Sequence, residues 1–202
     1  MKRMKTVMCL FMMACLLFAG CGVSKTDVAT INPLPDTTME NLTDAILSVS
    51  LEEGHAYVDD TGKMQMDLKI YTYDKYDMVD VSQLKKGDVI VTNSGEVKVK
   101  SVERSDEGVV VINGGVEKGG LNLVTDDEGL FYAVDANNAK NWYEVGEETI
   151  RVSVDFKGYD GLEDVVLYPG SFLINEVTNY DFTPYNTTIR VENGQIIELN
   201  RF

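Results

Sequence analysis

Residues 137–144, which read NNAKNWYE, hold the only tryptophan of the 202-residue chain beside a tyrosine and three asparagines. Trp and Tyr offer flat apolar faces with a polar tip, and amide side chains pair with hydroxyl or peptide groups. This composition predicts a surface that binds a glycan or a peptide through Asn138, Asn141, Trp142 and Tyr143. A tryptophan that plugs one end of a β-barrel gives the same pattern, and the size of the side chain favours that alternative.

Acidic side chains offer a second kind of chemistry. Asp155, Asp160 and Asp164 lie in a segment where Gly158 and Gly161 allow the backbone to curl and present carbonyl oxygens. Carboxylate and carbonyl oxygens suit Ca²⁺, so these aspartates are the candidate metal ligands, and no other cofactor is expected. The segment does not follow the twelve-residue helix-loop-helix pattern, and a solvated acidic loop explains the same residues.

Catalysis is restricted by the single histidine, His55. A Ser-His-Asp triad would have to use it, and a metal site with two histidines cannot be built. The sequence also lacks a glycine-rich phosphate loop and a nucleophile elbow. The paired carboxylates of a hydrolase are compatible with so acidic a chain, but no local motif marks such a pair.

The charge balance excludes one class of partner. The chain has 18 Lys and Arg against 33 Asp and Glu, a net charge of -15. Nucleic-acid binding requires clustered basic residues that displace counterions from phosphates, and this surface would repel a polyanion. We therefore expect no nucleic-acid partner.

The N-terminus carries an export signal. A basic start, MKRMK, precedes an almost continuously apolar run that is too short for a stable membrane span. The run ends in LFAGC at residues 17–21, with small residues directly before the cysteine. This junction resembles the lipobox of bacterial prolipoproteins. The resemblance covers residues 1–21 only and implies that residues 1–20 are removed and that Cys21 receives a diacylglyceryl anchor. Such an anchor would hold the protein to the extracytoplasmic side of the bacterial membrane.

Removal of residues 1–20 would also change the composition of the exported protein. Cys9 and Cys15 lie in the removed segment, so the mature chain keeps Cys21 alone and has no disulfide. The same segment holds three basic residues and no acidic one, which leaves a mature net charge of -18.

Beyond the anchor the sequence predicts a tether and one domain. Residues 21–40 are rich in Ser, Thr and Asp and contain two prolines, a composition typical of a flexible linker. Residues 41–202 alternate apolar and polar side chains at period two between turn signals, among which Asn193-Gly194 is the strongest hairpin signal. We therefore predict a single all-β domain of about ten short strands, an antiparallel barrel-like or sandwich arrangement with very little helix.

The sequence also predicts where helical turns occur and which side chains form the core. Short helical turns are expected only near residues 41–47 and 81–84. The predicted core consists of Met66, Leu68, Ile70, Val152, Val154, Val191 and Ile196.

Together these patterns favour a lipid-anchored, extracytoplasmic protein of the bacterial envelope. Its predicted role is that of a binding or accessory module, without catalysis, whose partners are the membrane and an envelope glycan or protein. The alternative is an extracytoplasmic hydrolase that acts on glycan or peptide through carboxylates.

Overall fold

The computed structural model describes residues 27–161, 165–175 and 181–202, and within these ranges it is built almost entirely of β-strands. The predicted all-β class with very little helix is confirmed. The fifteen strands are β1 (Thr30–Ile31), β2 (Ala45–Ser50), β3 (Ala56–Val58), β4 (Met64–Thr72), β5 (Lys75–Tyr76), β6 (Val89–Thr92), β7 (Gly95–Lys98), β8 (Val102–Arg104), β9 (Val109–Ile112), β10 (Leu121–Thr125), β11 (Phe131–Val134), β12 (Tyr143–Asp160), β13 (Val165–Leu167), β14 (Thr187–Glu192) and β15 (Gln195–Arg201).

Helices are short. In the part of the chain that the structure describes, the α-helices are α1 (Met78–Gln83) and α2 (Pro169–Asn175), and single 3-10 turns span Thr38–Glu40 and Val116–Lys118. The Asp77 carboxylate caps α1 by accepting hydrogen bonds from two backbone amides of its first turn. In the described ranges no helix has the length and apolar character needed to cross a membrane.

Five strands close into a barrel in the order β2-β4-β12-β15-β14, and β14 pairs back with β2. Closure depends on the 18-residue β12, whose first half is antiparallel to β4 and whose second half is parallel to β15. Strand β3 adds to the edge of β4, and β13 adds to β12. This five-stranded Greek-key barrel has the architecture of an OB-fold.

A second, smaller β unit is inserted between β4 and β12. Its main sheet is antiparallel, in the order β5-β11-β10-β9-β8, and the sheet β1-β6-β7 packs on the same core. Each unit buries its own set of apolar side chains, so the fold has two cores. Phe156, Phe172 and Phe182 lie in the barrel core, whereas Tyr76 and Phe131 lie in the core of the inserted unit.

Most of the predicted core is confirmed, but one residue and one pairing direction are wrong. Val154 is 81% exposed, and the β12–β15 pair is parallel. Val152 pairs with Ile196 and Lys157 with Glu198, so the intervening residues of β12 leave the ladder and the period-two alternation breaks there. The predicted core residues that are buried are Met66, Leu68, Ile70, Val152, Val191 and Ile196.

The N-terminal predictions also need correction. The predicted helical turn at 41–47 does not form: residues 41–44 are irregular and residues 45–47 belong to β2. Within the predicted tether, Thr30 and Ile31 form β1, and Ile31 is buried in the core of the inserted unit and pairs with Ile90. A two-residue strand carries no periodic signal of its own, and its partner lies far along the chain.

Candidate functional site

The outer surface of β4 and its neighbours forms the candidate site. Along β4, buried residues alternate with half-exposed ones, and the half-exposed series continues into the loop that follows. We call this surface the β4 face and define it by Asp67, Lys69, Tyr71 and Tyr73. At about 3.3 Å per strand residue it extends for about 20 Å.

A cleft of about 500 Å³ lies at the first end of the β4 face. The Asp67 carboxylate accepts hydrogen bonds from the Thr149 hydroxyl at 2.7 Å and the Tyr57 hydroxyl at 3.3 Å. These hydroxyls come from strands on either side of β4 and hold the carboxylate in place. The lining residues are His55, Asp67, Leu68, Lys69, Glu147, Glu148 and Thr149.

An ion pair borders this cleft. The Lys69 ammonium donates a hydrogen bond of 3.0 Å to Glu52. The hydrogen bond and the charge of Lys69 lower the pKa of the Glu52 carboxyl, so this group carries its negative charge at neutral pH. Because Glu147 and Glu148 are exposed beside it, the cleft is acidic overall.

Three half-exposed rings form an aromatic cluster at the second end of the β4 face. The ring centroid of Tyr73 lies 4.9 Å from that of Trp142 and 5.6 Å from that of Tyr132, with both contacts edge to face. The Lys140 ammonium lies 4.3 Å from the centroid of Tyr73 and donates a 3.0 Å hydrogen bond to its hydroxyl. We define the aromatic cluster as Tyr73, Tyr132 and Trp142.

The turn between β11 and β12 brings these groups together. The Asp135 carboxylate accepts hydrogen bonds from the amides of Asn137 at 2.7 Å and Ala139 at 3.0 Å. Asn138 has a φ of 60°, the left-handed conformation that asparagine tolerates better than most residues. The chain thereby reverses, and Lys140 pairs back with Val134, the last residue of β11.

The predicted ligand-binding residues differ in their surroundings. Trp142 is half-exposed and outside both cores, so it packs against Tyr73 without plugging the barrel. Asn138 and Asn141 are exposed in the same turn. Tyr143 is different, because its hydroxyl interacts with the buried Asp74.

The predicted Ca²⁺ ligands Asp155 and Asp160 have different environments. Asp155 is exposed, whereas Asp160 is buried and accepts a hydrogen bond from the Arg201 guanidinium. Asp164 lies outside the described residues. Across residues 27–161, 165–175 and 181–202 there is no group of three or more His, Cys, Asp or Glu side chains placed to hold a metal ion.

Sequence analysis missed Tyr73, Tyr132 and Lys140. The period-two pattern of β4 continues through Tyr71 and Tyr73 and could have marked both as outward-facing. Tyr132 carried no such signal, because its contact with Tyr73 depends on how the inserted unit packs against the barrel.

Comparison of the chain with protein-family models, with curated proteins and with solved structures finds no match.

Tyr143 provides a test of this geometry in alkaline solution. Its burial and then the negative charge of Asp74 raise the pKa of Tyr143 to about 12, above the ordinary value of about 10. As the pH rises, the unfolded state loses the phenol proton of Tyr143 at a lower pH than the folded state does. The stabilisation is therefore fully present below about pH 10 and is lost as the pH rises through about 12.

Phenolate absorbance measured against pH checks this expectation. Tyr143→Phe should reduce the absorbance rise near the highest pH at which circular dichroism remains native. Asp74→Asn should shift part of that rise to lower pH, because it removes a negative charge that disfavours the phenolate. A titration curve that neither variant changes would contradict the contact between Tyr143 and Asp74.

Proposed function

We propose that this chain is an extracytoplasmic lipoprotein, anchored through Cys21, that binds an envelope glycan along the β4 face. The observation that carries the proposal is the half-exposed aromatic cluster, which continues along β4 into the acidic cleft. Exposed aromatic rings stack on the apolar faces of sugar rings, and neighbouring polar groups pair with sugar hydroxyls.

The shape of the surface favours an extended ligand. Tyr71 lies between the cleft and the aromatic cluster, and its hydroxyl is 3.3 Å from the Ser50 hydroxyl. Tyrosine rings at two successive outward positions, Tyr71 and Tyr73, thus form a stripe along the strand. A chain of several sugar residues could contact the stripe and the cleft together over about 20 Å.

Charge narrows the class of glycan. The cleft end carries Glu52, Asp67, Glu147 and Glu148 against Lys69, and the proposed mature chain has a net charge of -18. A polyanionic glycan would be repelled, because like charges cost free energy when they approach without counterions. A neutral or amino-bearing glycan is the better match.

The anchor would place this surface close to the membrane. Strand β1 begins at Thr30, and the nine residues from Cys21 to Thr30 span at most about 30 Å when fully extended. A tether that ran from Cys21 to residue 40, as the sequence predicts, would reach farther from the membrane. The proposed ligand is therefore the membrane-proximal part of the envelope.

Residues 22–202, expressed without the proposed anchor, are called the soluble domain. Its co-sedimentation with purified peptidoglycan tests the proposal. Tyr71→Ala and Tyr73→Ala should each weaken binding about fivefold, since one ring stack contributes on the order of 1 kcal/mol. Tyr168→Ala is the matched control, because Tyr168 is exposed but belongs to the segment between β13 and α2. Equal binding by all three variants would contradict a ligand on the β4 face.

A hydrolase is the second candidate, and the cleft gives a specific reason to test it. Thr149 pairs with Asp67 and Glu147 pairs with Lys69, so Asp67 and Glu147 are diagonal neighbours on adjacent strands. Diagonal neighbours have Cα atoms about 7 to 8 Å apart, so both side chains lie on the same face of the sheet, as the two carboxylates of a glycosidase must. Release of reducing ends from peptidoglycan, lost in both Asp67→Asn and Glu147→Gln, would establish hydrolysis.

A further inference from the structure

Three rings of the aromatic cluster share one ammonium group, that of Lys140, and the Lys75 ammonium lies 5.3 Å from the ring centroid of one of them, Tyr73. The Nζ atom of Lys140 lies 4.3 Å from the ring centroid of Tyr73, 5.4 Å from that of Tyr132 and 5.7 Å from that of Trp142. All three distances fall within the range of about 6 Å over which a cation is attracted to an aromatic face. The cluster is thus arranged around a positive charge.

We propose that the aromatic cluster is a cage for the quaternary ammonium group of a ligand and that Lys140 is its internal occupant. The inference rests on the proposed function, because it assigns a ligand class to one end of the β4 face. A choline-type group, with a trimethylated nitrogen, is the chemical class that such a cage recognises.

The ring geometry supports a cage rather than a flat stack. The ring planes of Tyr73 and Trp142 meet at 87°, and those of Tyr73 and Tyr132 meet at 72°. Rings at steep angles form walls around a shared space. All three are half-exposed, so a ligand can reach this space from solvent.

Lys140 is held in the cage by few polar contacts. In the described part of the chain it forms no ion pair, whereas Lys69 pairs with Glu52 and Lys75 lies 4.0 Å from Glu128. Its hydrogen bond goes to the Tyr73 hydroxyl, a neutral acceptor. It also follows directly after an exposed turn, so its side chain can leave without unfolding either core.

A quaternary ammonium should displace this lysine for two reasons. A primary ammonium is strongly hydrated and regains water when it leaves, whereas a trimethylated nitrogen cannot donate hydrogen bonds and loses less on entering an aromatic site. The acidic surface also attracts a cationic ligand and disfavours an anionic one. Lys140 therefore acts as a removable plug that weakens binding without preventing it.

Titration with choline, followed by the emission of the sole tryptophan, Trp142, tests the proposal on the soluble domain. Lys140→Ala should bind choline at least tenfold more tightly than the wild type, because the cage no longer has to be emptied first. Lys98→Ala is the matched control, since it removes the same charge from an exposed position on β7. It should bind choline like the wild type.

Two further measurements separate a cation cage from a general apolar surface. The neutral isostere 3,3-dimethyl-1-butanol should bind Lys140→Ala at least tenfold more weakly than choline does. Tyr132→Ala, introduced beside Lys140→Ala, should abolish the choline response, as seen by ligand-observed NMR as well as by fluorescence.

Three results would overturn the inference. These are no saturable choline response by either method in natively folded Lys140→Ala, equal affinity for the neutral isostere, and equal affinity of wild type and Lys140→Ala. Peptidoglycan binding that survives any of these results would show that only the cage is refuted. Loss of both choline and peptidoglycan binding would refute the proposed function as well.

Discussion

Replacement of Cys21 by serine is expected to move the protein from the membrane fraction to the soluble or unprocessed fraction. The proposed acyl chains supply the membrane affinity, and two chains bind firmly where one binds only marginally. The net charge of -15 disfavours binding of the chain to anionic lipids in their place. Detergent phase partitioning of Cys21→Ser and wild type measures the effect.

Cys15→Ser is the matched control for this experiment. It is the same substitution within the apolar run that precedes Cys21, so it should leave partitioning into the detergent phase unchanged. If Cys21→Ser had lost the apolar N-terminal segment and still partitioned like the wild type, the proposed lipid anchor would be refuted.

Phe156→Ala should destabilise the fold by about 3 to 5 kcal/mol, because it removes a large buried side chain and leaves a cavity. Phe156 is fully buried in the barrel core. Its ring packs edge to face on that of Phe172 of α2, with 5.5 Å between the ring centroids. The cavity would therefore open between the barrel and α2. Urea midpoints with unchanged slopes give the loss in free energy of unfolding.

Val154→Ala on the same strand is the control for this loss. Val154 is 81% exposed, so its truncation should change the free energy of unfolding by less than about 0.5 kcal/mol. Similar losses in the free energy of unfolding for Phe156→Ala and Val154→Ala would contradict the structure, in which β12 turns Phe156 into the core and Val154 towards solvent.

Sequence reasoning worked where structure depends on neighbouring residues. The Asn193-Gly194 hairpin forms as predicted, with φ values of 50° and 71° at the two turn positions. The alternation of Met64–Thr72 likewise gave the buried face of β4 correctly, because period two in a strand follows from the pleat alone. Such features need no knowledge of the rest of the fold.

Features that depend on distant parts of the chain were not predictable in this way. Val154 follows the alternation of its neighbours but lies where β12 leaves the ladder with β15. The parallel pairing of β12 with β15 follows from barrel closure, which brings together segments that are separated in sequence.

The candidate site was likewise predictable only in part, where it depends on neighbouring residues. The stretch around Trp142 pointed to a ligand surface because its composition is local. Tyr73 and Tyr132 complete the aromatic cluster from β4 and β11, and only the tertiary packing of the inserted unit brings them to Trp142 and Lys140. A single sequence holds no signal for that convergence.

The emission of Trp142 during titration with soluble peptidoglycan fragments tests most directly whether the β4 face binds a glycan. The tryptophan is the only one in the chain and is half-exposed within the aromatic cluster, so its emission reports on that site. We predict a saturable change in emission whose midpoint Tyr73→Ala shifts to about fivefold higher ligand concentration and Tyr168→Ala leaves unchanged. Binding detected by co-sedimentation with no change in Trp142 emission would contradict a glycan site that includes the aromatic cluster.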